Sequence, residues 1–280
     1  MALVEALEAR VGATVERLSP LYKSSFGPTY RAELSDGRAL FVKSSDAPTE
    51  RFFAEADGLS AIASTGAIRT PKVIEVGDCF LALEYIESAP PRRGYARRFG
   101  EKLAALHRVS AERFGHHRDN FIGALPQSNR LHDSFIDFYR CERLIPMRER
   151  TADALGEEGS ALLDRLIDEL GSHLEMNEPP SLIHGDLWNG NVMSDGEGKP
   201  VIFDPAVAYA DRELDLAMLE LFGGFGSEFY RAYDATYPRR PGWKQRQPIY
   251  QLYYLLVHVA LFGGSYIQST KRALRSILAR

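Results

Sequence analysis

The sequence has few of the residues that mark several classes of protein. Its 280 residues include two cysteines, Cys79 and Cys141, which lack the paired spacing of a zinc site. So few cysteines are typical of a protein kept in a reducing compartment, and we predict a cytoplasmic location. The formal net charge is −4, which gives no reason to expect nucleic acid as a partner.

Long apolar runs are also scarce. The longest, residues 249–262, is interrupted by Gln251 and His258 and is shorter than the roughly 20 residues of a membrane-spanning helix. The first ten residues carry acids where a signal peptide would carry bases. We therefore expect a soluble globular protein, folded as one large domain or two lobes, that has no membrane partner.

The most informative stretch is residues 181–206, SLIHGDLWNGNVMSDGEGKPVIFDPA. The motif His-Gly-Asp ends at Asp186, Asn191 follows five positions later, and two short predicted strands around a turn lead to Asp204. Phosphoryl transfer needs a carboxylate that deprotonates a hydroxyl and oxygen ligands that hold magnesium against the phosphates. The spacing matches the catalytic loop of protein kinases and predicts Asp186 as base, with Asn191 and Asp204 as magnesium ligands.

Two departures from the protein-kinase pattern narrow this hypothesis. Pro205 and Ala206 replace Phe-Gly after the metal aspartate, so a mobile regulatory loop is not expected. His-Gly-Asp in place of His-Arg-Asp points to kinases of small molecules. Each acidic or amide residue alone would more often cap a turn, but three at this spacing favour a site.

The N-terminal third predicts strands and a helix that place a phosphate-binding lysine. A strand over residues 39–43 ends on Lys43, and the helix that follows carries Glu55. These two predict the ion pair that holds a lysine over the α- and β-phosphates, with Glu50 as the alternative acid. The preceding turn, with Ser24 and Ser25, has the position of a phosphate-covering loop, although taken alone it fits a plain hairpin better.

A buried strand is predicted over residues 80–86, and its end is expected to lie beside the bound nucleotide. Its last residues, Glu84, Tyr85 and Ile86, are expected to bind the adenine edge through their backbone. The polar, proline-containing segment that follows is predicted to be the hinge. We therefore expect a nucleotide-binding lobe over residues 1–87 and a catalytic and substrate-binding lobe over residues 88–280.

Several polar residues outside the motif have weaker assignments. His107 is predicted to be a structural histidine at a helix end, and the adjacent His116 and His117 to lie at the surface, since two neighbouring histidines are poor metal ligands without a third group. Asp215 begins an apolar helix, where it either braces the catalytic loop or caps the helix. Asp211 either faces the substrate or caps as well.

The sequence resembles the fructosamine kinase (ketosamine-3-kinase) family, within the wider aminoglycoside and choline phosphotransferase group. His-Gly-Asp alone marks this group, whereas HGDLW followed by DPA and FGGF is more specific. The similar segments are FVK at 41–43, DNFIGALPQSN at 119–129, HGDLWNGNV at 184–192, VIFDPA at 201–206, DRELDLAM at 211–218, LFGGF at 221–225 and YQLYYLLVH at 250–258.

The resemblance implies an α+β, bilobal protein-kinase-like fold with a small antiparallel-sheet N-lobe and a larger, mainly helical C-lobe. It implies an ATP- and Mg²⁺-dependent phosphotransferase with an alcohol acceptor, the 3-hydroxyl of the sugar in a small-molecule or protein-bound ketosamine. The phosphate then destabilises the adduct and frees the amine. Trp188 is expected to pack on the sugar or in the core. His184 and Asp215 are expected to support the site.

Two other functions stay open on the sequence. One is phosphorylation of an aminoglycoside or another small amino alcohol, which is disfavoured because such polycations need dense acids and the last helix is basic. The other is an inactive kinase fold that serves as a binding module. The presence of Lys43, Asp186, Asn191 and Asp204 argues against an inactive fold. The oligomeric state is not predicted.

Overall fold

The computed structural model of the protein describes residues 3–24, 27–175 and 178–279. The helices are α1 (Leu3–Val11), α2 (Arg51–Ser64), α3 (Tyr95–His107), α4 (Phe135–Tyr139), α5 (Ile145–Asp168), α6 (Leu170–His173), α7 (Glu213–Leu221), α8 (Gly226–Thr236), α9 (Trp243–Phe262) and α10 (Ser265–Leu278). The strands are β1 (Val15–Ser24), β2 (Gly27–Leu34), β3 (Ala39–Ser44), β4 (Val73–Gly77), β5 (Phe80–Glu84), β6 (Asn120–Ile122), β7 (Leu125–Gln127), β8 (Ser181–Ile183), β9 (Val192–Ser194), β10 (Pro200–Ile202) and β11 (Ala208–Ala210).

The N-terminal strands form a five-stranded antiparallel sheet in the order β1-β2-β3-β5-β4. Side chains of β5 alternate between the two faces, as the period of a strand requires. Phe80 and Ala82 pack with Leu7 of α1 on one face, and Leu81 and Leu83 pack with residues of α2 on the other. Both faces of this sheet are therefore covered by a helix.

The register of the sheet decides where Lys43 points. Lys43 pairs with Leu81, whose side chain faces α2, and the lysine side chain is 2% exposed. Opposed residues of paired strands share a face. The buried ammonium group therefore meets the helix that carries Glu55.

The larger part of the chain is mainly helical and holds the largest cluster of buried apolar side chains, which joins α3, α5 and α7 to α10. Helices α3 and α8 approach closely at Gly100, where a Cβ atom would lie 2.4 Å from the carbonyl oxygen of Phe229. Strands β8 and β11 pair antiparallel, with Ile183 opposite Ala208. The segment between these paired strands, including the β9–β10 hairpin, is therefore a closed loop. It carries the predicted catalytic residues Asp186, Asn191 and Asp204.

The predicted fold class is confirmed: an antiparallel N-terminal sheet precedes a mainly helical part in an α+β protein. The predicted strand, turn and strand after the catalytic motif are β9 and β10. In the described ranges, no helix combines the length and the apolar composition that crossing a bilayer requires.

Candidate active site

Asp186 follows directly after β8, in a loop whose sharp turn depends on a glycine. Gly185 has φ of 85°, and a Cβ atom at this position would lie 2.0 Å from the carbonyl oxygen of Ala206. A side chain there would be strained and would displace the segment that follows Asp204. This contact is a steric reason for glycine in the His-Gly-Asp motif.

The side chain of Asp215 stabilises the same loop. Its two carboxylate oxygens accept hydrogen bonds from the backbone N–H groups of His184 at 2.7 Å and Gly185 at 2.9 Å. The ring Nε2 of His107 lies 3.1 Å from the same carboxylate, and all these side chains are fully buried. His184 in turn contacts the carbonyl oxygen of Phe203 at 2.9 Å, so the loop is tied to the segment that carries Asp204.

Asn191 fixes the conformation of Asp186. Its amide Nδ2 donates to the backbone oxygen of Asp186 at 2.8 Å and to the carboxylate Oδ2 at 3.2 Å. Burial, and then the nearby Asp204 carboxylate, raise the pKa of Asp186 to about 7. A carboxylate with such a pKa is a stronger base than an exposed one and suits proton transfer near neutral pH.

Lys43 bridges two carboxylates. Its Nζ lies 2.7 and 2.8 Å from the oxygens of Glu55 and 2.6 Å from Oδ1 of Asp204. Burial disfavours the charged lysine, but the carboxylates of Glu55 and Asp204 outweigh it and raise the lysine pKa. The structure thus pairs Lys43 with Glu55, while the alternative, Glu50, lies at the start of α2 with a side chain 78% exposed.

Asp204 has the one positive φ, 56°, recorded for a non-glycine residue in the described part of the chain. Such a conformation costs about 1–3 kcal/mol and persists where the surroundings enforce it. The side chain is 33% exposed and faces two cavities. Asp204 therefore lies where the two cavities meet.

The smaller cavity, about 340 Å³, lies where the adenine was predicted. It is lined by the predicted residues Glu84, Tyr85 and Ile86, with Phe41 and Met193 among the apolar walls. The Glu84 carboxylate itself lies 2.7 Å from Arg69, so the side chain is committed to an ion pair. Ser24 ends β1, but its side chain and the whole of Ser25 lie outside the described residues.

The larger cavity, about 810 Å³, is lined by Asp186, Asn191 and Asp204. Trp188, 40% exposed, lines it as well, and its ring meets Phe222 edge-on at 6.1 Å between centroids. Further apolar and aromatic side chains of its wall include Phe121, Leu261, Phe262 and Tyr266. The acids of this lining, Glu55, Asp186 and Asp204, thus share the cavity with mostly apolar and aromatic side chains.

Asp211 differs from the predicted substrate contact. Its side chain is fully buried, accepts from the backbone N–H of Glu213 at 3.0 Å and contacts Arg240 and Tyr250. Burial raises its pKa, although Arg240 opposes the shift. Asp211 therefore takes the capping alternative and does not line the cavity, because its carboxylate is enclosed by an internal ion-pair cluster.

Three contributors to the two cavities were missed from the sequence. Tyr22 lines both cavities, and Arg51 and Asn120 line the larger one. Arg51 donates to the carbonyl oxygen of Ala124 at 3.0 Å, across 73 residues of chain. A contact so distant in sequence leaves no local pattern that could have pointed to Arg51. For Asn120, the DNFIG segment that resembles the family could have indicated a place in the site.

The buried histidines predict a pH-dependent stability. Burial lowers the pKa of His107 and of His184 below the ordinary 6.5. Below pH 6.5 the unfolded chain therefore binds protons at these histidines that the folded chain does not, so each histidine lowers the free energy of unfolding as pH decreases, by up to about 1.4 kcal/mol per pH unit. Asp186, whose pKa is raised to about 7, contributes a slope of opposite sign over the same range. Urea unfolding between about pH 5.5 and 7.5 measures this slope.

The variant His107→Gln isolates one of the two contributions. A glutamine can still donate to Asp215 but does not titrate. We expect the variant to lose part of the slope below pH 6.5 and to keep the rest. An unchanged slope would show that His107 does not contribute.

The α+β fold, with Lys43 paired to Glu55 and the carboxylates of Asp186 and Asp204 lining one cavity, is that of a phosphotransferase of the protein-kinase-like class. The family model described as fructosamine kinase matches residues 5–280. The chain belongs to the fructosamine kinase family.

Relatives with this likeness cover most of the chain. A protein of Synechocystis sp. named "Probable ketoamine kinase" is 40% identical, over 88% of this chain and 85% of its own. The "Protein-ribulosamine 3-kinase, chloroplastic" of Oryza sativa subsp. indica is 37% identical, over 84% of this chain and 71% of its own. A crystal structure from Thermobifida fusca YX-ER1, of a proposed fructosamine-3-kinase, is 37% identical with a TM-score of 0.93 and covers 100% of this chain and 99% of its own.

Proposed function

We propose that this protein is an ATP- and Mg²⁺-dependent kinase that phosphorylates the 3-hydroxyl of a ketosamine sugar. The observation that carries the proposal is the junction of the two cavities, where Asp204 lines both and Asp186 lines the larger one. A nucleotide in the smaller cavity and an acceptor in the larger one would meet there. We keep residues 1–87 and 88–280 as the proposed lobes and the cytoplasm as the proposed location.

The donors at the junction fit a magnesium ion. Mg²⁺ prefers oxygen ligands, and Asp204 offers a partly exposed carboxylate. Asn191 donates hydrogen bonds from its amide nitrogen to Asp186, so its amide oxygen is the atom that would bind the metal ion. In this proposal the two residues hold the ion, which neutralises charge on the phosphates when bound.

The other parts of phosphate transfer are carried out by protein side chains. Asp186 orients the sugar hydroxyl and accepts its proton while the oxygen forms a bond to the γ-phosphorus and the bond from that phosphorus to the bridging oxygen of ADP breaks. Lys43, held by Glu55, supplies positive charge beside the phosphates. Asp215 acts through the loop backbone and keeps Asp186 in place.

The larger cavity favours a ketosamine over an aminoglycoside. The acids that line this cavity, Glu55, Asp186 and Asp204, all belong to the proposed phosphate-transfer site, and most of the other lining side chains are apolar or aromatic. An aminoglycoside carries several ammonium groups and would need further acids in this lining. The relatives named ketoamine kinase and ribulosamine 3-kinase support the same choice.

A panel of acceptors tests this function. The protein is incubated with ATP and Mg²⁺ and with a fructosyl-lysine analogue, a ribulosyl-lysine analogue, kanamycin or choline, and ADP formation is measured. We expect turnover with the sugar–amine adducts and a product phosphorylated on O3, which ³¹P and ¹H NMR can locate. Turnover restricted to kanamycin or choline would overturn the choice of substrate, and no turnover with any acceptor would revive the inactive binding module.

Trp188 is expected to bind the sugar rather than the nucleotide. Its ring packs over Gly190 and presents a partly exposed face to the larger cavity. Loss of about 1.4 kcal/mol of stacking in Trp188→Ala would raise KM for the ketosamine about tenfold. KM for ATP stays near the wild-type value, and Trp188→Phe retains most of the affinity. An equal rise in both KM values would contradict the assignment.

A further inference from the structure

Three side chains that phosphate transfer does not use converge at Asp57 of α2. The carboxylate of Asp57 on α2 lies 2.8 Å from Nε2 of His116 and 2.9 Å from Nε2 of His117, one carboxylate oxygen for each ring. Both histidines were predicted to lie at the surface. Instead His116 is buried, with 4% of its side chain exposed, while 68% of His117 is exposed.

We propose that Asp57, His116 and His117 form a binding site for a divalent transition-metal ion, for which Zn²⁺ is the best match. The three potential ligand atoms all lie within 4.8 Å of one another. In a tetrahedral zinc site with bonds of about 2.1 Å, ligand atoms are about 3.4 Å apart, so each imidazole nitrogen would move about 0.5 Å away from the Asp57 carboxylate to make room for the ion. The exposure of His117 gives water access to the fourth position.

The donor set selects among ions. Two imidazole nitrogens and one carboxylate suit zinc, copper or nickel, whereas Mg²⁺ and Ca²⁺ prefer oxygen ligands. The proposed zinc site is thus chemically distinct from the oxygen donors Asn191 and Asp204. An ion bound by both Nε2 atoms requires each neutral ring to carry its proton on Nδ1.

The position of the site gives it a mechanical consequence. Asp57 lies on α2, the helix that packs on the N-terminal sheet and carries Glu55, while both histidines lie in the loop between α3 and β6 of the helical part. A metal ion would therefore join α2 to the loop of the helical part that carries both histidines. Helix α2 is also the helix whose Glu55 pairs with Lys43. Binding to the folded protein alone would stabilise it by mass action.

Thermal unfolding of the metal-free full-length protein tests the proposal. With free Zn²⁺ about 100-fold above its dissociation constant, we expect Tm to rise by about 5 °C or more, whereas Mg²⁺ leaves Tm unchanged in the absence of nucleotide. His117→Ala, at the exposed ligand, and Asp57→Asn should lose this rise. His132→Ala is the matched control, because that histidine contacts the single carboxylate Glu142, and it should keep the rise.

Cobalt provides a readout independent of stability. Co²⁺ in a site with nitrogen and oxygen donors gives visible ligand-field bands, and we expect them in the wild type and the His132→Ala control but not in His117→Ala. A zinc-dependent rise in Tm that survives in His117→Ala and Asp57→Asn would overturn the site. So would the absence of both the rise and the cobalt bands in the wild type.

Discussion

Replacing Asp186 by asparagine is expected to lower kcat by about 10³-fold while nucleotide binding persists. An asparagine keeps the shape of the side chain and can still accept the hydrogen bond from Asn191, but it cannot take a proton from a hydroxyl. The loop geometry enforced by Gly185 and Asp215 should survive. Steady-state kinetics with a ketosamine and calorimetric titration with a non-hydrolysable ATP analogue measure the two effects.

A matched substitution distinguishes the loss of the catalytic base from the loss of one negative charge. Asp133→Asn also removes one carboxylate, but from a side chain that is 88% exposed, and it should leave kcat unchanged. Near-normal turnover in Asp186→Asn would remove Asp186 from the role of base. Loss of nucleotide affinity together with turnover would instead mean that the substitution disturbs the loop.

Lys43→Met is expected to abolish activity and to destabilise the fold. The substitution leaves Glu55, 8% exposed, and Asp204 without the ammonium group between them. Removal of one partner from a buried ion pair costs about 3–5 kcal/mol, because the remaining charge is left without compensation. Urea unfolding measures the loss of stability, and kinetics at saturating substrate measures the loss of turnover.

The double variant Lys43→Met/Glu55→Gln distinguishes the two effects. Removal of the second charge should restore most of the stability, so that the two substitutions are strongly non-additive, while activity stays lost. The exposed Lys102→Met is the control for loss of a lysine. Additive destabilisation in the double variant would contradict a direct pairing of Lys43 with Glu55.

The short, regular elements of this protein were predictable because each has a local cause. The apolar runs of β3 and β5 and the turn between β9 and β10 all depend on residues a few positions apart. The motif from Asp186 to Asp204 is equally local, since 18 residues and one hairpin bring its members together. The candidate base and metal ligands could therefore be named before the structure was known.

The tertiary structure alone decided which of several possible roles each remaining polar residue took. Asp211 became part of an internal ion-pair cluster, and Asp215 became the support of the loop, although both lie at the start of one helix. His116 and His117 gained Asp57, which is about 60 residues away in the chain. Contacts of this kind depend on how helices and strands pack, and packing is set by the whole buried surface rather than by the neighbours in sequence.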